Sequence, residues 1–517
     1  MQLEENADSV IGKLMGSLPP SPSSPPSPSS VAVAQRSNSG NNNRNNNRNN
    51  NLIFRPQPVA DLVWAFSKLR LPASRAPRLL SRLLRECSGP FFARAQTIEI
   101  AVFARSVCEL DLQGAEAVLE TVASRGPQIV AGAQTPPEFL MLSAPFVSGG
   151  RATGEQEVPM FAALQSRSEW FLERCARWNA KDAAAEMARN FARGGYDSSK
   201  YLRELDGLSE WLARGSVKGL GDVAFAFAET GVKPEHFFRE VGKNADVILN
   251  RAENTLPYPR HTTENVVDIA WAVASLGMAG EMAPTLRKLW SFVARYAGNL
   301  GDDQLRRLAQ IEAFARLDGA ELFPLSEETR RRIEGEEQEE EKEDEEAAAV
   351  AATCSKVLKL MGFEHERNMR PLGAGYFKNT FPIAIAGGGE NDLKVAVELD
   401  GPESFLTGLL YREGGIETTA PYMGRERGPT VAKRRALRQM GYTVVNVPYH
   451  ACVPRSNEQK EGGEEMEGVA MPAAAADRLT DYDRAMAGVL LDLFEKEGLG
   501  HLLDGSSVLR ASIDAAE

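Results

Sequence analysis

The sequence has few of the residues that crosslink a protein or hold it in a membrane. Its five cysteines lie far apart, without a Cys-x-x-Cys pair or a histidine cluster, so neither a disulfide framework nor a zinc site is indicated. This usage suits a reducing compartment. No run of eighteen apolar residues occurs, so no membrane span is expected. The five histidines share no metal-ligand spacing, and no serine has a nucleophile-elbow context, so hydrolase sites are not predicted.

Positive charge is also scarce. Lys plus Arg total 59 against 71 Asp plus Glu, and the resulting net charge of −12 excludes a uniformly basic nucleic-acid-binding protein. The acidic residues are concentrated, because residues 327–346 carry a net charge of −8 and residues 458–467 carry −4. The rest of the chain is close to neutral. The location of charge, not its total, has to indicate a partner.

The length of 517 residues predicts two to four structural units. The Ser/Pro and Asn/Arg tracts near the start are almost without large apolar side chains, so they cannot offset the entropy of ordering. An acidic run after residue 326 is typical of a solvated spacer; the alternative is an acidic mimic that competes for the protein's own basic surface. We predict a disordered tail (1–51), a helical-repeat array (52–325), an acidic linker (326–350), an α/β domain (351–505) and a tail (506–517).

The predicted array contains a recurrent unit. Six stretches share it: WAFSKLRL (64–71), RSVCELDL (105–112), RNFARGGY (189–196), FAFAETGV (225–232), WAVASLGM (271–278) and EAFARLDG (312–319). Their starts differ by 41, 84, 36, 46 and 41 residues, so a degenerate repeat is expected near residues 141–150. Several units place a small residue beside a large one, and a Gly or polar residue then ends the helix. This period predicts an α-solenoid of roughly 40-residue helical hairpins with a concave side for an extended ligand. An irregular helical domain is the alternative.

After residue 350 the pattern changes to that of a small α/β domain. The predicted order is helix 352–361, strand 380–386, turn 387–391, strand 393–400, helix 431–440, strand 442–448 and helix 481–497. In the second strand Val395, Val397 and Leu399 share one face. Lys394, Ala396, Glu398 and Asp400 share the other, so the strand is half-buried. Gly441 is expected to end the helix before the last strand.

Two segments carry a family resemblance: VAVELDGPESFL (395–406) and GPTVAKRRALRQMGYTVVNVPYH (428–450). Together they resemble the RAP domain of organellar RNA-binding proteins, over roughly residues 351–500. The resemblance implies a restriction-endonuclease-like α/β fold. With helical repeats in front, the chain is similar to octotricopeptide-repeat and FAST-kinase-like proteins, which act on mitochondrial or chloroplast transcripts. No HRD or DFG sequence accompanies the GAG at 373–375, so kinase activity is not predicted.

This resemblance implies a location and partners. The location is a mitochondrion or chloroplast, although the acidic first ten residues do not read as a transit peptide. The implied partners are single-stranded RNA and organellar ribonucleoprotein components. The implied roles are post-transcriptional regulation through RNA processing, rRNA processing, mRNA stability or translation, and no cofactor is predicted.

A metal-dependent nuclease of the PD-(D/E)xK type is one alternative, since RAP domains are similar in fold to such enzymes. That chemistry needs two carboxylates on a hard cation and a nearby lysine. Glu398 and Asp400 share a strand face, so the two carboxylates could bind magnesium together. Lys433 could reach them from the helix. However, Phe381 and Pro382 stand where an aspartate is expected. The competing reading is that both carboxylates pair with arginines and no catalysis occurs.

The basic helix is the main predicted RNA-binding element. Its cations oppose the helix dipole in the first turns, so an anionic partner would relieve the conflict. Residues 411–438 carry a local net charge of +4. The predicted RNA-binding residues are Arg412, Arg425, Arg427, Lys433, Arg434, Arg435, Arg438, Tyr422 and Tyr449, the tyrosines stacking bases. A solvated basic helix is the alternative for this element, and a peptide-binding scaffold is the second alternative for the protein.

Overall fold

A computed structural model describes residues 56–69, 92, 95–110, 115–147, 154–254, 259–336, 345–361, 363, 365–366, 383–386, 394–400, 404–407, 409–412, 415–418, 425–448 and 481–499. Their contacts form two compact units, 1–133 and 134–517. The predicted tails, the turn at 387–391, and Phe381 and Pro382 lie outside the described residues. Within the described part of the chain, no helix is long and apolar enough to cross a membrane.

The first unit is helical. Its helices are α1 (Pro56–Lys68), α2 (Thr97–Glu109), α3 (Ala115–Ser124) and α4 (Gly126–Gly132). Helix α2 begins with a reciprocal cap, in which the Gln96 amide donates to the Glu99 carboxylate at 2.7 Å. Glu109, at the end of α2, accepts from the Lys68 ammonium at 3.1 Å and joins α2 to α1. The first two repeat stretches therefore lie at the ends of two packed helices.

The second unit begins with the rest of the array. Its helices are α5 (Pro136–Ser143), α6 (Gly154–Ser166), α7 (Ser168–Arg177), α8 (Lys181–Arg193), α9 (Ser199–Asp206), α10 (Ser209–Ala213), α11 (Val217–Thr230), α12 (Phe237–Lys243), α13 (Ala245–Asn254), α14 (Pro259–Ser275), α15 (Ala283–Tyr296) and α16 (Asp302–Leu317). Short 3₁₀ turns cover Ala144–Phe146 and Ala297–Asn299. Helices α8, α11, α14 and α16 carry the last four repeat stretches and pack side by side in that order. We call them the motif helices.

The motif helices end in the same way. Each is followed by a glycine with positive φ, at 64°, 64°, 71° and 76° for Gly195, Gly231, Gly277 and Gly319. In each case the amide one residue later donates to a carbonyl five residues back, as Val232 does to Phe227 at 3.1 Å. This is the Schellman termination, which satisfies carbonyls that a helix end leaves unpaired. The repeated glycine is thus a helix-ending signal, as the sequence predicts.

The expected degenerate repeat corresponds to α5. This helix ends at Ser143 and packs beside α8, in the position that one motif helix takes beside the next. The Asn190 side-chain amide of α8 donates to the Ser143 hydroxyl at 2.8 Å inside that contact. Intervening helices α9–α10, α12–α13 and α15 complete the hairpins. The predicted helical-repeat architecture is confirmed.

The acidic segment is helical where it is described. Helix α17 spans Glu327–Glu336 and packs on α16, and Thr329 is buried. The Arg332 guanidinium donates to the carbonyls of Gly298 and Leu300, at 3.1 and 2.7 Å. Arg332, together with Arg330, which donates to Glu312 of α16 at 3.3 Å, thus attaches the start of the predicted solvated linker to the array. The net charge of the segment did not indicate this contact, because the acidic residues that follow outnumber its three consecutive arginines.

The C-terminal domain has three layers. Helices α18 (Glu345–Leu360) and α20 (Asp481–Lys496) lie on one face of a sheet, and α19 (Gly428–Gln439) lies on the other. The strands are β1 (His365–Glu366), β2 (Ile383–Ala386), β3 (Lys394–Asp400), β4 (Leu409–Arg412), β5 (Gly415–Thr418) and β6 (Tyr442–Pro448). The main sheet has the order β1-β2-β3-β6, with β3 and β6 parallel and the other pairs antiparallel. Strands β4 and β5 form a separate hairpin.

The predicted division of β3 into two faces is confirmed, but the prediction that the strand is half-buried is wrong, because Ala396, Glu398 and Asp400 on the second face are also buried. Val395 and Val397 pack in the core with α18 and α20, and Leu399 packs against it, whereas Ala396 packs with Leu437 of α19. Gly441 ends α19 with a φ of 86°. Strand β6 has the predicted bounds, and helix α18 begins seven residues earlier than predicted. The β4–β5 hairpin was not predicted, because its sequence reads as a polar loop. The chain is therefore mostly α, with helical repeats followed by a small α/β domain.

Candidate nucleic-acid interface and the domain junction

A buried cluster of charges lies between β3 and α19. Glu398, Asp400 and Arg434 are each less than 5% exposed. The Arg434 guanidinium contacts Asp400, Glu426 and Glu398, the last at 3.4 Å. Lys433 adds a contact of 2.8 Å between its ammonium and the other Glu398 oxygen. Two cations thus pair with three carboxylates, which leaves a net charge of −1 when all five groups are ionised.

The titration behaviour of this cluster follows from burial and charge. Burial raises the pKa of Asp400 to about 6, although the neighbouring Arg434 opposes the shift. Burial alone would lower the pKa of Arg434, but Asp400, Glu426 and Glu398 outweigh it and raise that pKa. Carboxylates of the same chain therefore supply the anionic partner that was expected for Lys433 and Arg434 of the basic helix. Arg434 lies in the interior, not on the predicted solvent-facing side.

The carboxylates of the nuclease alternative have cationic partners. Lys433 does reach Glu398 from α19, as that alternative requires. However, Arg434 occupies the side of Asp400 and Glu398 on which a hard cation would bind. Among the described residues, no group of three His, Cys, Asp or Glu side chains is arranged to hold a metal ion. The arrangement fits charge pairing better than activation of water by magnesium.

Two other arginines of the domain bind the C-terminal ends of the motif helices. Arg425 donates to the Thr230 carbonyl at 2.7 Å, at the end of α11. Arg435 donates to the carbonyls of Ala274 and Ser275, at 2.8 and 3.1 Å, at the end of α14. The negative end of a helix dipole and its unpaired carbonyls favour such cations. These two arginines thus hold the C-terminal domain on the array.

Backbone contacts extend the junction along the row of helix ends. The Thr407 amide donates to the Gly195 carbonyl at 2.8 Å, and the Asp197 amide donates to the Thr407 carbonyl at 2.7 Å. Gly428, at the start of α19, lies against the last turn of α11, and a methyl group there would overlap the Ala228 carbonyl oxygen. The domain therefore touches the ends of successive motif helices, and Gly428 allows the closest approach.

The sequence of this domain matches a known protein family. Residues 397–461 match the RAP domain family. The chain contains a RAP domain. The match runs from β3 through α19 and β6, and so includes both the charge cluster and the docking arginines. No curated protein matches the chain significantly. The RAP domain indicates an RNA-binding family, and the helical repeats in front of it agree with the resemblance stated above.

Two further predicted RNA-binding cations lie on or beside α19. Arg438 is exposed on α19 and has no side-chain partner in the described part of the chain. Arg427 precedes α19, and its guanidinium lies beside Gly195 of the array. Arg412 lies in β4, and Tyr422 and Tyr449 are outside the described residues. The cationic surface that the RAP domain offers to an outside ligand is therefore smaller than the charge count implies.

The array has its own charged face, formed by the motif helices. Arg189 of α8 contacts Asp222 of α11 at 2.5 Å and Asp268 of α14 at 3.4 Å. Arg307 of α16 contacts Asp268 and lies over Phe225 of α11, 5.0 Å from the ring centroid. Side chains from helices two positions apart therefore meet across the motif helix that lies between them. Sequence reasoning missed this face because its partners are 33 to 82 residues apart.

This charged face is largely closed by its own contacts. Asp222 and Asp268 are buried, and Arg189 and Arg307 each keep 19% of their side-chain surface exposed. Burial raises the pKa of Asp268, against the effect of Arg307 and Arg189. Trp271 is also buried, and its indole donates to Gln310 at 2.6 Å. These groups tie the four motif helices together and leave little unpaired charge on that side.

Proposed function

We propose that the chain is an organellar RNA-binding protein of mitochondria or chloroplasts that acts in post-transcriptional regulation. Its task would be RNA processing, rRNA processing, mRNA stability or translation. The RAP domain seated across the ends of the motif helices is the observation that carries this proposal. The RAP domain is docked on the motif helices, which suits an extended single-stranded ligand better than two independent modules would.

The charge distribution supports a particular way of binding. Because most cations of α19 have partners inside the protein, few phosphate contacts are available on the RAP domain. Stacking and hydrogen bonds from the array would then contribute much of the affinity. For single strands, the logarithm of affinity falls with the logarithm of salt by about 0.7 per phosphate contacted. We therefore expect a shallow salt dependence, with a log–log slope of magnitude below about 3.

Crosslinking in cells tests the proposal directly. The tagged full-length protein should crosslink to RNA after ultraviolet irradiation, and sequencing of the bound RNA should return organellar transcripts. Absence of any RNA crosslink, together with recovery of a peptide ligand, would favour the protein scaffold instead. Cleavage of single-stranded RNA that requires magnesium and is abolished by Glu398→Gln would favour the nuclease.

Imaging tests the proposed location. A full-length tagged protein with a verified 5′ end should colocalise with a mitochondrial or plastid marker. A diffuse signal elsewhere in the cell would refute the organelle without refuting RNA binding, since the two rest on different observations.

A further inference from the structure

Helix α7 exposes tryptophan on its polar face. The helix buries Phe171, Leu172 and Cys175 against the array. Trp170 is half-buried, and Trp178, which caps the C-terminal end of α7, is 49% exposed. Eight residues separate Trp170 from Trp178, which corresponds to a rise of about 12 Å and a rotation of about 80° along an α-helix. A cluster of exposed aromatic side chains is more informative about binding than a single exposed one.

Cations alternate with these tryptophans. The Arg167 guanidinium carbon lies 4.0 Å from the centroid of Trp170, and that of Arg174 lies 5.8 Å from it. Just beyond Trp178, the Lys181 ammonium lies 5.5 Å from the ring centroid of Trp211. Trp170, Trp178 and Trp211 are half of the six tryptophans of the chain, and cations lie over two of them, Trp170 and Trp211. We call this the tryptophan strip, formed by Arg167, Trp170, Arg174, Arg177, Trp178, Lys181 and Trp211.

The corner between α7 and α8 is held in place. Asn179 has a φ of 54°, a left-handed conformation that a non-glycine residue seldom adopts. Its side-chain oxygen accepts from the Lys181 ammonium at 2.7 Å, which orients the lysine beside the corner. Trp178 and Lys181 are thus positioned by the backbone and by this hydrogen bond. A site with little freedom to lose binds a ligand at a lower entropic cost.

The strip also has the charge of an anion-binding surface. Residues 167–181 contain four cations and two carboxylates, a net charge of +2 in a chain of net charge −12. One of the carboxylates, Glu173, pairs with Arg177 at 2.8 Å. The other, Glu169, lies in the first turn of α7, where the helix dipole favours an acid. Arg174 and Lys181 are left beside the exposed indoles.

We infer that the tryptophan strip binds single-stranded RNA, with bases stacked on Trp178 and the other indoles and phosphates near Arg174 and Lys181. This inference rests on the proposed function. Aromatic rings interleaved with cations suit unpaired bases, whose faces are free to stack whatever their sequence. A duplex hides those faces. A length of about 12 Å accommodates more than one nucleotide.

Substitution of Trp178 tests the stacking role. Binding of a fluorescein-labelled single-stranded RNA to the full chain is measured by fluorescence anisotropy. Loss of one base–aromatic stack reduces affinity by about 5- to 150-fold, so Trp178→Ala should weaken binding by at least fivefold. Trp178→Phe should restore most of the affinity. The matched control is Phe323→Ala, because Phe323 is 66% exposed elsewhere on the array.

Substitution of Arg174 tests the phosphate contact. Arg174→Ala should weaken binding and reduce the salt slope by about 0.7. The control is Arg331→Ala, whose side chain is 77% exposed and pairs only with Glu327 among the described residues. Thermal unfolding by circular dichroism checks that each variant is folded.

The outcomes separate this site from the proposed function. Binding by the wild type that Trp178→Ala and Arg174→Ala leave unchanged would overturn the site and leave RNA binding intact. Equal affinity for a duplex of the same length would overturn the single-strand assignment. If the wild type bound no RNA at all, the site and the proposed function would fall together.

Discussion

Replacing Arg435 by alanine should release the RAP domain from the array. Its guanidinium donates to two carbonyls at the end of α14, at 2.8 and 3.1 Å, and lies 5.5 Å from the ring centroid of Phe314. A hydrogen bond to a charged group contributes about 1.5–3 kcal/mol, and neighbouring contributions are not additive. We therefore expect a loss of about 2–4 kcal/mol in docking free energy. This corresponds to a decrease of about 30- to 1000-fold in the docking equilibrium.

Urea unfolding followed by circular dichroism measures this effect. The wild-type second unit should unfold in one main transition, because the RAP domain and the array stabilise each other. Arg435→Ala should unfold in two transitions, with the RAP domain lost first. Arg438→Ala is the matched control, since Arg438 is exposed on the same helix. The docking argument is refuted if the two variants give superimposable curves with a single transition.

Four further outcomes follow from the same contacts. Gly428→Ala should destabilise the chain in urea unfolding, because the added methyl group overlaps the Ala228 carbonyl oxygen. Helix propensity alone would favour Ala by up to about 1 kcal/mol, so a stabilised variant would contradict the tight junction. Arg434→Met should cost about 3–5 kcal/mol in the same assay, since it leaves buried carboxylates unpaired, and a cost below about 1 kcal/mol would mean that they are solvated. The raised pKa of Asp400 means that the folded state holds a proton more tightly than the unfolded state between pH 3.8 and about 6. The free energy of unfolding should fall as pH rises across that window relative to Asp400→Asn; parallel curves would disprove the shift. Limited proteolysis should cut first within residues 17–51 and 334–346, and early cleavage inside the motif helices would contradict the predicted domain organisation.

The parts of the fold that repeat locally could be predicted from the sequence. Alternation of apolar residues defined β3 and its faces, because a strand has a period of two. The glycines after the motif helices revealed the repeat, because a left-handed residue is needed to end a helix in this way. Neither inference depends on a distant part of the chain.

The partners of the basic residues could not be predicted in this way. Arg435 and the carbonyl of Ala274 are 161 residues apart, and Arg434 and Glu398 are 36 apart. A run of cations has the same local pattern whether it meets phosphate, buried carboxylates or the ends of helices. Only the tertiary arrangement shows that the cations of α19 meet buried carboxylates and the ends of helices. The conflict between these cations and the helix dipole correctly indicated an anionic partner, but it did not show that the partner belongs to the same chain.

The junction explains how divergent repeats can still hold one domain. On the array side, most docking contacts are made by backbone groups: the carbonyls of Gly195, Thr230, Ala274 and Ser275 and the amide of Asp197. A carbonyl at a helix end has the same geometry whatever side chain it carries, provided that the helix ends at the same place. The terminating glycine is therefore the feature that docking requires, and the other side chains of each repeat can vary with little effect on it. Variation on the remaining surfaces of the array, such as the tryptophan strip, is then compatible with a fixed position of the RAP domain.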